Sequence, residues 1–149
     1  MQNLVLWIIP VLSILTSCGI YALALEVDFS PTAWTAIIIG LLFAILGNYM
    51  PKTRMNPTMG IKVWWAYTSE ENWNATHRFA GRVWVIGGLA ILLTALLPTN
   101  LINPLFPAIM IAIAVIPMVY SWRYYKKQLA RGDELKPFPV TNTAASRGS

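Results

Sequence analysis

A single histidine, His77, and two acids close before it, Glu70 and Glu71, are the residues in this chain best placed to do acid–base or metal chemistry. Their spacing argues against both. Glu70 and His77 are seven residues apart, about 10 Å along one face of a helix, which is too far for a direct bond between the side chains. Glu71 is no better placed. With one histidine and one cysteine, Cys18, the chain cannot assemble a cluster of imidazole or thiolate ligands. No HExxH, nucleophile elbow, phosphate loop or dinucleotide fingerprint occurs. The expectation is therefore no catalytic residue, no metal and no cofactor: not an enzyme. His77 is expected to hydrogen-bond a loop carbonyl or Asn48.

Around His77 lies a denser pattern. Trp73, His77 and Gly81 repeat every four residues and share one helical face. Trp64, Trp65 and Trp73 fall within ten residues. Rings at that density either lie at a bilayer surface or form a platform for a partner, and the stripe Trp65, Glu70, Trp73, His77, Arg78 is expected to be such a platform. Arg78 and Arg82 form a basic pair, expected to anchor to anionic headgroups. Glu70 and Glu71 are expected to pair with Arg54 or Lys62. Thr68-Ser69-Glu70-Glu71 reads as a capping box with Thr68 as N-cap, from which a helix runs on without a break. Before it, Met55-Asn56-Pro57-Thr58-Met59-Gly60 is turn chemistry, with Gly60 free to take a positive φ.

The elements that hold this segment are membrane spans. Of 149 residues 56% are hydrophobic and only 11% charged, about half the charge of a soluble domain. Mean hydropathy is +0.55. That excludes a disordered chain, a coiled coil and an ordinary cytosolic enzyme. Four stretches are long and apolar enough to cross about 30 Å of hydrocarbon: 4–25, 33–50, 79–97 and 101–122. In lipid they must be helices, because no water is there to satisfy the backbone. The expected fold is all-α: one four-span membrane domain over 1–122, with a structured loop at 51–78. A basic tail that turns polar and disordered follows at 123–149. The connection after span two is far longer than a helix hairpin needs.

Charge sets the expected orientation. Net charge is +5, which here reports loop placement rather than nucleic-acid binding. Glu26 and Asp28 lie between spans one and two, and all eleven bases lie in the central loop, at the start of span three or in the tail. With four spans both termini and the central loop share one side, and by the positive-inside rule that side is the cytoplasm. Leu15-Thr16-Ser17-Cys18 fits a lipoprotein cleavage box, but Met1-Gln2-Asn3 lacks the usual positive charge. The first span is thus read as retained, with Cys18 as a small packing residue. Asn48 is expected to bond inside the bundle. Gly40, Gly47, Gly81, Gly87 and Gly88 are expected to let helices approach closely.

Asn48-Tyr49-Met50-Pro51-Lys52, then Gly60-Ile61-Lys62, Trp65, and Ser69-Glu70-Glu71-x-Trp73-x-x-Thr76-His77-Arg78-x-x-Gly81 together resemble the signature of the SdpI family of bacterial membrane proteins. The resemblance covers about forty residues, Gly47 to Gly88, and its ordered Trp, Glu, Thr and His are specific. Lys62 stands where the family usually has Arg, Val63-Trp64 where Thr-Pro is common, and Ala66 where Thr is usual. The resemblance implies a short four-helix member in the bacterial plasma membrane that protects its producer from a secreted peptide toxin. In the founding system it further implies a receptor that holds a cytosolic DNA-binding repressor at the membrane. A structural or sensory module without a toxin, or a small-solute transporter, is the alternative. No mid-membrane charge marks an ion path.

The loop charges make the orientation testable. A reporter active only outside the cytoplasm should work when fused at Asp28 and stay silent after Lys52 or Lys136. Activity at Lys136 would overturn the arrangement with both ends inside.

Overall fold

A computed structural model describes residues 2–55, 60–61, 63–133 and 135. Among these the chain forms four long helices and no strand: α1 (Gln2–Ala24), α2 (Pro31–Tyr49), α3 (Glu70–Thr94) and α4 (Thr99–Arg131). Two short 3-10 helices, Met50–Lys52 and Trp64–Thr68, shape the connection between α2 and α3. The fold is that of an all-α membrane protein. Leu6–Ala24, Pro31–Lys52 and Thr99–Arg131 are long and apolar enough to cross a bilayer. α3 is not among them, because its first turns carry Glu70, Glu71, Arg78 and Arg82. The tail expected to be disordered lies outside the described residues, as do Asn56, Pro57, Thr58 and Lys62.

Local chemistry explains where the helices start and stop. Ser30 caps α2, its hydroxyl accepting from Ala33 N–H at 3.3 Å, with Pro31 pre-setting the first turn. Ser69, not Thr68, caps α3, accepting from Asn72 N–H at 3.0 Å. Thr68 instead turns its hydroxyl back to the Trp65 carbonyl at 2.8 Å, which closes the 3-10 helix rather than opening the α-helix. Glu70 and Glu71 then sit in the first turn, where they complement the helix dipole. From there α3 runs unbroken through Thr94, as its sequence led one to expect. α4 continues past Trp122 to Arg131 and ends on Gly132 at φ 75°.

α3 is the central helix, packed along α2 on one side and α4 on the other, while α1 touches only α2. The α2–α3 seam is made of glycine. A Cβ on Gly88 would lie 2.6 Å from the Ala44 nitrogen and the Gly40 carbonyl oxygen. A Cβ on Gly47 would lie 2.8 Å from the Gly81 carbonyl oxygen. Backbone meets backbone at two levels, the close approach by which helices associate where water cannot drive them together. A small core of Ala36, Ile91 and Ile113 fills the space between, edged by Phe43, Trp84 and Phe106.

Elsewhere the usual burial is inverted. Trp7, Ile14, Ile86 and Leu93 are each more than 60% exposed, an apolar surface suited to lipid. α1 is held at one point, where the Trp34 indole N–H donates to the Leu15 carbonyl at 3.2 Å beside Gly19. Cys18 faces outward on α1 and is not the packing residue expected. Asn48 is likewise exposed, because the inward face of α2 at that level belongs to Gly47.

The seam predicts unequal costs for the same substitution. Gly88→Ala meets backbone and should lower stability by about 1–3 kcal/mol. Gly87→Ala meets the Cγ1 and Cδ1 of Ile113, a side chain that can change rotamer where backbone cannot, and should cost less. Thermal unfolding in detergent reads the difference, and equal midpoints would refute the backbone-contact account.

Candidate functional site

Three turns of α3, Ser69 to Gly81, knit the loop, α3 and α4 together. The centre is Asn72, fully buried. Its side-chain amide donates to the Trp65 carbonyl at 2.9 Å and the Ser121 carbonyl at 3.4 Å. Its side-chain oxygen accepts from Thr76 at 3.0 Å and from the Ser121 hydroxyl at 3.4 Å. Two donors and two lone pairs are thus all engaged, which is what a buried amide requires. One helical turn nearer the start, Ser69 also donates to Gln128 at 3.0 Å. Gln128 donates in turn to Glu71 at 3.2 Å, and Tyr124 donates to the other Glu71 oxygen. Glu71 thus binds α4; the Lys62 expected as a partner for it lies outside the described residues.

The other face of α3 locks the loop. Trp73 is fully buried, its indole N–H donating to the Thr53 carbonyl at 3.1 Å, with the Tyr67 ring 5.0 Å away. Stacked on it at 4.0 Å is the His77 imidazole. Ile61 N–H points at His77 Nε2 at 3.1 Å, so Nε2 must carry the lone pair. Nδ1 therefore holds the proton and donates it to the Trp73 carbonyl at 2.8 Å. This is a neutral imidazole with both nitrogens in use. Burial pushes its pKa down, and the bond to Trp73 only partly opposes that. Gly60, at φ 117°, lies flat over the pair, where a Cβ would come within 2.8 Å of the Trp73 ring and closer still to Nε2.

These placements sort the residues singled out from sequence. Trp65, Ser69, Glu71, Trp73, Thr76, His77 and Gly81 form one interlocked unit around Asn72, with Gly81 against Pro51 and the Gly47 carbonyl. Glu70, Arg78 and Arg82 project outward, and Lys52 reaches over the Tyr49 ring at 5.1 Å. The exposed stripe expected of Trp73 and His77 is an interior one, because the loop folds back over that face. His77 bonds its own helix and a loop amide, not Asn48 or a loop carbonyl. Sequence reasoning missed Asn72 itself, and with it Ser121, Tyr124 and Gln128, whose i, i+3, i+7 spacing marks a polar stripe on α4. No group of His, Cys, Asp and Glu able to hold a metal occurs among the described residues.

Comparison with known proteins falls on this same unit. Residues 52–121 match the model of the SdpI/YfhL protein family. The segment holds the loop, all of α3 and α4 as far as Ser121. Immunity protein SdpI of Bacillus subtilis (strain 168) is 28% identical over 89 residues, 60% of this chain and 43% of that protein. The match thus spans less than half of the relative's length. No solved structure matches the chain.

The His77 lock has a pH signature. Its folded pKa lies below the ordinary 6.5, so below that value the unfolded chain binds protons more readily than the native protein. The stability the lock contributes is complete above about pH 6.5 and falls away as pH drops toward the folded pKa. Thermal midpoints in detergent from about pH 8 to about pH 5 should therefore decline, and His77→Gln should flatten the decline. A slope unchanged in the variant would show that other groups carry it.

Proposed function

We propose that this chain, whose residues 52–121 match the SdpI/YfhL family, is an integral membrane immunity protein that protects its producer from a secreted peptide toxin. The observation that supports this reading most is the extent of the family match, which takes in the whole loop–α3 lock and its contact with Ser121. In this reading α3 is the fourth crossing, with Arg82 near its polar end reaching to the headgroups. Both termini and the 51–78 loop lie in the cytoplasm of a bacterial cell. The short α1–α2 connection, with Glu26 and Asp28 exposed, then faces the toxin's side.

The loop is the part suited to signalling, by holding a cytosolic DNA-binding repressor at the membrane. Burial of Trp73 and His77 divides the labour there. These residues hold the loop's shape, and a partner would read the outward groups Glu70 and Arg78. No bond-making step is assigned to any residue. Protection would come from binding alone, with neither cofactor nor direct contact with nucleic acid.

Expression in a toxin-sensitive strain should confer survival that rises with protein level. Trp73→Ala, which empties a buried site worth about 3–5 kcal/mol, should lower survival only as folded protein is lost. Glu70→Gln with Arg78→Gln should keep survival and protein level but abolish repressor recruitment. Glu26→Gln with Asp28→Asn probes the outer connection directly. Survival independent of expression across candidate toxins would favour a structural or sensory module instead.

A further inference from the structure

Beyond Trp122, α4 does not become an ordinary soluble helix. The outward face of its span, Val115, Met118, Val119 and Trp122, is 37–50% exposed. The same stripe continues in register to Lys126 and Leu129, and Leu129 is 51% exposed. At 33 residues α4 is about 50 Å long, against about 30 Å of hydrocarbon and 40–45 Å with both headgroup layers. Its last turns therefore begin within the headgroup layer.

Rings gather at this level. Trp122 packs edge-on to Trp65 at 5.1 Å and lies 5.8 Å from Tyr125, which meets Trp64 at 5.3 Å. Trp64 is nonetheless 62% exposed. The Lys126 ammonium sits over the Trp122 ring at 5.3 Å. Arg123, Lys127 and Arg131 flank the stripe, all exposed, and no acid occurs in α4 to oppose them. Glu71, the acid bonded to this part of α4, has its carboxylate engaged by Tyr124 and Gln128.

We propose that Trp64, Trp122, Tyr125, Lys126 and Leu129 form a seat for anionic phospholipid headgroups, at the level where α4 and the loop's 3-10 helix meet the headgroup layer. Aromatic rings with one wet edge favour that depth, and the flanking cations complement the lipid phosphates. An acidic soluble partner would satisfy the cations. It would not explain why the apolar row continues directly from the lipid-facing side of the span. The seat rests on membrane insertion of α4 and not on the immunity reading.

The test uses the full chain with Cys18→Ala and Leu129→Cys, labelled with a polarity-sensitive fluorophore. It is reconstituted in nanodiscs of phosphatidylcholine, with or without phosphatidylglycerol. Phosphatidylglycerol should shift the emission to the blue and allow quenching by headgroup spin-labelled lipid. High salt should reverse both changes. Each Lys or Arg near such a surface is worth about fivefold in attraction. Arg123→Gln, Lys126→Gln and Lys127→Gln together should thus reduce the seated fraction's ratio on the order of 100-fold. The lipid comparison on the labelled parent stands even if that triple variant fails to fold. Identical emission in both discs overturns the proposal, as does insensitivity to salt. So does a blue shift that needs two copies per disc, which would make the face an interface between chains. An equal blue shift in detergent on adding an acidic peptide would assign the face to a soluble partner and overturn it too.

Discussion

Asn72 is the joint on which the rest of this architecture depends. One buried amide bonds the loop through the Trp65 carbonyl, its own helix through Thr76, and α4 through Ser121. Each bond alone is worth about 1 kcal/mol net, but a buried group stripped of its partners costs about 1–3 kcal/mol. Losing any one element therefore penalises the other two. That coupling holds a long polar connection in one arrangement beside a membrane, where the hydrophobic effect does little to sort helix against helix.

Two further contacts extend the joint in opposite directions. Toward the loop's far end, His77 and Trp73 stack beneath Gly60 and take hydrogen bonds to Ile61 and Thr53. Toward the membrane interior, Gly81 and Gly88 meet Gly47 and Gly40 across backbone contacts. α3 is thus polar and hydrogen-bonded for its first three turns and small-residue packed beyond them. α1 stands apart, joined to α2 by the Trp34 bond and one glycine, and lies outside the segment that matches the family.

This division bears on how such a protein would act. Trp73, Thr76 and His77 are interior, so they define a shape rather than a surface. Groups free to meet a partner or a headgroup surround that shape: Trp64, Glu70, Arg78, Arg82 and the basic turns after Trp122. A substitution in the first set alters function through folding, and one in the second through binding. Measuring protein level beside any activity tells the two apart.

Much of this was legible in the residues alone. The apolar runs, the small residues and the polar start of α3 were determined by composition and periodicity, because lipid permits few backbone solutions. The ordered Trp, Glu, Thr and His carried the family. Which way those side chains point was decided only by tertiary structure. Helical spacing puts Trp73 and His77 on one face, but it does not say whether water or a returning loop covers that face. The bond from Trp73 to the Thr53 carbonyl and the bond from the Ile61 N–H to His77 settle it, and they join residues whose separation in sequence leaves no periodic trace. The partners on α4 were hidden for the same reason: Ser121, Tyr124 and Gln128 acquire their meaning only when α4 lies beside Asn72 and Glu71.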